Sequence, residues 1–179
     1  MKKRAGRVMW VVAGLLGTCA ATAAFAQTEK AEVSLVDARG KPMGRAILTE
    51  TEGGAKIFLQ ARGISPGTHA FHIHAVGRCD PPDFKSAGPH FNPFGKKHGA
   101  KNPQGAHAGD LSNIVVGASG TIQVEVLAKG VTLSGTGENS LFHEGGTSLV
   151  IHADPDDGVT DPAGNAGARI ACGVIVHSQ

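Results

Sequence analysis

Beyond residue 27, no stretch of this 179-residue chain repeats its apolar residues at a helical spacing, which argues against a helical class of fold. Tyrosine is absent, and the one tryptophan, Trp10, lies in the first stretch of the chain. Only three cysteines are present, none in a C-x-x-C pair, so the chain has no thiol-rich transfer motif. No charge of either sign occurs from Val8 to Ala26. Excess charge is lacking too: 17 Lys and Arg face 15 Asp and Glu, and nothing in that balance suggests a nucleic-acid or membrane-surface partner.

The uncharged segment has a recognisable setting. MKKRAGR carries four basic residues and no acid, VMWVVAGLLG is apolar, and Ala24, Phe25 and Ala26 form an A-x-A pattern. This reads as a secretory signal peptide over 1–26, cut after Ala26. Val8 to Ala26 is also long enough for an uncleaved membrane anchor, although its second half is Ala and Thr rather than Leu and Ile. Cys19 offers a lipid-attachment reading that the preceding Thr18 fits poorly. Cleavage removes four of the 17 basic residues and no acid, leaving 13 against 15 and a domain over 27–179 with net charge near −2. It also leaves Cys79 and Cys172, an even pair most simply read as a disulfide in an oxidising compartment, with two buried free thiols as the alternative.

What is present is the alternation of β-strands. Ala31, Val33 and Leu35, then Ala55, Ile57 and Leu59, then Ile122, Val124 and Val126 each recur at every second position. Turn residues separate such runs at Gly40-Lys41-Pro42, Gly53-Gly54, Ser65-Pro66-Gly67 and Ser119-Gly120. The pattern predicts eight strands near 30–37, 44–51, 55–62, 68–74, 112–117, 121–128, 147–152 and 169–176, in a single all-β antiparallel sandwich or barrel. Two connections, 75–111 and 153–168, are too long for hairpins, and loops of that length in a compact domain are usually functional or disordered.

Histidines occupy the first long loop and its flanks in a fixed order. His72 and His74 form an H-x-H on a predicted strand, which sends both imidazoles to one face. His90 follows in SAGPHFNP, His98 in KKHGA, His107 and Asp110 in HAGDL, and His152 in VIHADPDD. Each motif alone is weak. The ordered set is what a two-metal site requires, because neutral imidazoles and a carboxylate are natural metal ligands.

The segments FHIH, SAGPHFNP, KHG, HAGDL, VIHADPDD and GNAGARIACGVI resemble the exported copper/zinc superoxide dismutases over essentially all of residues 27–179. The resemblance implies an eight-stranded Greek-key β-barrel with two long functional loops, and an enzyme that converts superoxide to dioxygen and hydrogen peroxide with one copper and one zinc per subunit. Residue by residue, it makes His72, His74, His90 and His152 the copper ligands and His90, His98, His107 and Asp110 the zinc ligands. His90 then bridges the metals and carries a catalytic proton. Asp156 is implied to bond to His72 and His98, Arg169 to draw the superoxide anion to copper, and Cys79 and Cys172 to tie the ligand loop to the last strand.

His69, of the opposite parity to His72 and His74, reads as structural, and His143 and His177 read as solvated. Loop 153–168 has no lysine, so any guidance of the substrate from a loop lysine would come from Lys85, Lys96, Lys97 or Lys101. The rival functions are a copper or zinc store and a copper-delivery protein on the same fold; the first has no need of Arg169, and the second should carry a C-x-x-C. The expected partner is superoxide, with neither nucleic acid nor a stable membrane association, in the periplasm or else secreted. Exported members include monomers and dimers, so a homodimer is compatible with the resemblance.

Overall fold

The computed structural model describes residues 28–135 and 137–178. The expected signal peptide, with Trp10, Cys19 and the cut after Ala26, lies outside the described residues. Nine strands are described: β1 (Lys30–Asp37), β2 (Pro42–Thr51), β3 (Gly54–Arg62), β4 (Gly67–His69), β5 (Phe71–His74), β6 (Ile114–Val116), β7 (Thr121–Lys129), β8 (Ser148–His152) and β9 (Arg169–His177). A single 3-10 turn, Lys85–Ala87, is the only helical element among the described residues. The strands follow the alternating runs, with one difference. The predicted strand 68–74 is two strands, parted at Ala70, whose amide donates to Asp154 O (2.9 Å) and whose carbonyl accepts from His152 N (2.9 Å).

Seven strands form an antiparallel sheet in the order β5-β8-β9-β1-β2-β3-β7, and β4 pairs with β6 in a two-stranded ribbon. That ribbon joins the two ends of the curled sheet, since β4 runs directly into β5 and β6 leads through the Gly117–Gly120 turn into β7. The last strand lies between β8 and β1, the return connection of a Greek key. Inside, Ala31, Val33, Leu35, Ala46, Leu48, Ala55, Ile57, Leu59, Phe71, Ile73, Leu149 and Ile151 form one core, in which each fully buried large aliphatic or aromatic side chain contributes about 1.5–3 kcal/mol.

β5 and β8 are buried along their whole length. Their odd-numbered residues face the barrel core, and loop 75–111 covers the other face. A small second core of Phe84, Ala87, Val150 and Cys172 fills that outer space, with Val36 and Cys79 against it. The Cys79–Cys172 disulfide, across 93 residues, fastens the loop to β9. Closing a loop of that size stabilises by about 4–5 kcal/mol in the chain-entropy model.

Candidate metal centre

His72 and His74 are two residues apart on β5, so both rings point outward from the barrel beneath loop 75–111. The loop is held against the free edge of β5 by main-chain bonds from Phe91 N to Ile73 O (2.8 Å) and Ile73 N to Gly109 O (2.9 Å), and Gly109 N to Phe91 O (2.8 Å) ties its two passes together. Local bridge pairings set His90 opposite His74 and Asp110 opposite His72. The approach at Gly109 excludes a side chain, since a Cβ there would lie 2.2 Å from Ile73 O. His152 ends β8 just after a β-bulge that re-aims it, and it joins the same group.

His72, His74, His90 and His152 are all buried, and one nitrogen from each falls within 4.8 Å of the others. The remaining nitrogens identify the free ones. His72 Nε2 bonds to Asp156 Oδ2 (2.7 Å) and His74 Nδ1 to Gly88 O (2.8 Å), both acceptors, so each of these nitrogens carries its proton and the opposite one presents a lone pair. His72 Nδ1 and His90 Nε2 are buried with no hydrogen-bond partner. His74 Nε2 and His152 Nε2 face one another at 3.4 Å. Lone pairs gathered this closely in a buried space fit a cation at their centre.

A second set shares His90. The Nδ1 atoms of His90, His98 and His107 approach Asp110 Oδ1 at 2.8, 3.1 and 3.1 Å. His98 Nε2 donates to Asp156 Oδ1 (3.0 Å), so its Nδ1 presents a lone pair to a carboxylate oxygen, again an arrangement that fits a cation. The other oxygen of Asp110 accepts the amides of Gly99 (2.8 Å) and His107 (3.0 Å). Three imidazoles and one carboxylate form a closed tetrahedral donor set of the type that suits zinc, and four imidazoles suit copper.

Electrostatics keeps the donors in their binding states. His74, His90 and His152 are pushed down to about 2, about 4 and about 3, chiefly by burial, helped by neighbouring imidazoles and opposed at His90 by Asp110. Burial raises Asp110, but the bonds from His90 and the Gly99 amide outweigh it and hold the acid at about 2. Asp156 is likewise kept below the usual carboxylate range, against burial, by the bonds from His72, His98 and the Gly158 amide. At neutral pH these three imidazoles are neutral and both acids are ionised.

Arg169 opens β9 and is half-buried, and its guanidinium donates to Phe84 O (2.7 Å) and Gly88 O (2.7 Å). Of the lysines considered for guidance, Lys97 pairs with Asp161 (2.8 Å), Lys101 donates to Asp157 O (2.9 Å) and Lys85 pairs with Asp83 (2.9 Å). Lys96 lines a cleft with Phe94 and Leu127 on the His107 side of the site.

His143 is not solvated: it is half-buried, stacked on Phe91 with ring centroids 5.3 Å apart, and its Nδ1 donates to Glu144 O (2.8 Å). The neighbouring Phe91 surface covers the imidazole. His177 is exposed and stacks on Phe142. His69 is buried, with Nδ1 2.8 Å from His152 O and Nε2 2.9 Å from Ser65 O, so it holds the backbone of the last histidine. Its parity, opposite to that of His72 and His74, marked it as structural, but nothing local pointed to His152, 83 residues on. Asp161 of loop 153–168 also supports the site, accepting the His98 amide (2.8 Å), and no motif in the sequence singles it out.

A family model described as copper/zinc superoxide dismutase (SODC) matches residues 42–175. The copper-zinc superoxide dismutase 2 of Aquifex aeolicus strain VF5 is 53% identical over 176 residues, covering 98% of this chain and 99% of that protein. Among solved structures, a SOD-like protein from Bacillus subtilis superposes with a TM-score of 0.79 at 41% identity, over 81% of this chain and 97% of its own. The Cu/Zn superoxide dismutase from Brucella abortus gives 0.67 at 28% identity, over 83% of this chain and 100% of its own.

Proposed function

Because the chain belongs to the copper/zinc superoxide dismutase family, we propose that it converts superoxide to dioxygen and hydrogen peroxide with copper held by His72, His74, His90 and His152 and zinc by His90, His98, His107 and Asp110. The observation that carries the assignment is the pair of buried, unpartnered nitrogens, His72 Nδ1 and His90 Nε2, aimed into the same four-histidine cluster. When bound, copper supplies one-electron exchange with superoxide and zinc a closed electrostatic partner for the shared imidazole.

The remaining chemistry belongs to the chain. Two superoxide ions and two protons become one dioxygen and one hydrogen peroxide, so the site must attract an anion and deliver protons. Arg169 supplies a permanent cation, fixed by two carbonyls, one of which also holds His74. Steering of this kind raises association rates by about 10- to 1000-fold. His90 Nε2 has no protein partner to compete for a proton, while Nδ1 is occupied on the Asp110 side. It is the atom at which a proton is held and passed to reduced substrate. Asp156 fixes the rings of His72 and His98 together through its two oxygens.

The Cys79–Cys172 disulfide is consistent with an exported protein. The finer reading is a periplasmic enzyme over 27–179 after loss of 1–26, and an intact mass beginning at Gln27 tests it. The functional test is metal analysis and superoxide assay of that purified chain. One copper, one zinc and turnover dependent on copper are expected. Bound copper without turnover would overturn the enzymatic reading in favour of a store or delivery protein.

A further inference from the structure

Asp161 sits in loop 153–168, yet both of its carboxylate oxygens bond across to loop 75–111. Oδ1 accepts the backbone N–H of His98 (2.8 Å) and Oδ2 accepts Lys97 Nζ (2.8 Å). His98 is fully buried, so its amide needs an acceptor, and a charged one is the strongest available. The ring of the same histidine is already oriented, donating from Nε2 to Asp156 and turning the Nδ1 lone pair toward Asp110. Two acids of one loop, Asp156 and Asp161, therefore fix one residue of the other loop, by its ring and by its backbone.

Asp161 also lines a cavity with Thr160, Ala163, Asn165, Gly167 and His152, one of the four histidines assigned to copper. An acid there opposes the approach of superoxide. Lys97 is the cation that offsets it, and pairing with Asp161 is why this lysine is not free to guide substrate.

We propose that Asp161 is a positioning residue for the zinc-side ligand His98, and that Lys97 is placed to neutralise the negative charge this leaves beside the cavity that His152 lines. The proposal rests on the assignment of His98 to zinc. Removing Asp161 should not separate the loops, because Lys101 N to Gly158 O (3.0 Å), Lys101 Nζ to Asp157 O (2.9 Å) and His98 Nε2 to Asp156 Oδ1 (3.0 Å) remain.

The test compares D161A, D161N and K97M with the parent, all loaded with copper and zinc. Zinc release to a chelator should be about 10-fold faster in D161A, in keeping with the effect of removing a group that orients a ligand. D161N, which keeps an acceptor for the His98 amide, should fall between, and K97M should release zinc at the parent's rate. Turnover per copper at low ionic strength should move oppositely in the last two: down in K97M, where the acid is left unpaired, and up in D161N, where Lys97 is freed. Both differences should vanish at high salt. A merely structural role would not produce changes of opposite sign. Zinc release from D161A at the parent's rate overturns the positioning role, and equal low-salt rates for K97M and D161N overturn the neutralising role. If D161A fails to fold, D161N decides the first point: zinc release faster than in both the parent and K97M supports it, and release equal to theirs overturns it. A parent without zinc, or zinc retained in H98A, would instead remove the His98 assignment itself.

Discussion

Arg169 and His74 meet on one oxygen: the carbonyl of Gly88 accepts the guanidinium at 2.7 Å and the imidazole Nδ1 at 2.8 Å. The cation proposed to draw in superoxide is thus registered to a proposed copper ligand through a single backbone group. Its other anchor, Phe84 O, lies in the small core under the disulfide. Charge and metal site are positioned by the same segment.

Reversing that charge should separate attraction from metal binding. Arg169→Glu is expected to keep both metals and lose about 10- to 1000-fold in rate, with salt now raising the rate because it screens repulsion. Arg169→Lys keeps the charge but cannot fork to two carbonyls, so its rate should fall between. Stopped-flow superoxide decay at low and high salt checks this, and a rate for Arg169→Glu equal to the parent's would sink the steering role.

His90→Ala should deplete both metals and reduce turnover to background, because one ring serves both sets. His107→Ala should deplete zinc while copper remains. Metal content by mass spectrometry distinguishes them; full occupancy in His90→Ala would refute the shared assignment.

The metal-free protein should lose stability on mild acidification. His74, His90 and His152 titrate in the folded state at about 2, 4 and 3, below the usual value of about 6.5 in the unfolded chain. As pH falls below about 6.5 the unfolded chain takes up protons that the folded one refuses, and stability drops until the folded groups begin to protonate near pH 4. By pH 5 the loss is on the order of 1–2 kcal/mol per imidazole. The depressed acids Asp110 and Asp156 act in the same direction at lower pH. Thermal melts of chelator-treated protein from pH 7 to pH 5 provide the measurement, and a constant Tm would contradict it.

A Cys79→Ser, Cys172→Ser double variant should melt roughly 10 °C lower, from the chain-entropy contribution of about 4–5 kcal/mol. Zinc should leave faster and activity should fall less than zinc retention, since neither sulfur belongs to a donor set. Unchanged melting and zinc release would deny the bridge its structural role.

Much of the architecture was readable because it is written at period two. The residues that alternate in 30–37 and 55–62 are those buried in the barrel. The break at Ala70 was hidden because 68–74 contains no glycine, proline or other turn residue; the division comes from bonds to Asp154 and His152, more than 80 residues away. The donor residues stood out by type and spacing, whereas their supports did not. Asp161 reaches His98 across 63 positions and Phe91 covers His143 across 52, and no local pattern encodes either contact. Nor does anything local show Lys97 already paired.

Two side chains belong to both halves of the site: the ring of His90 enters both donor sets, and the oxygens of Asp156 hold one histidine of each. The two binding events are therefore thermodynamically linked. Whichever ion arrives first orders groups that the second would otherwise have to order, and by reciprocity each raises the affinity of the other by the same factor. Copper affinity measured with and without zinc should differ by as much as zinc affinity measured with and without copper, which leaves fewer half-loaded molecules than two independent sites would give.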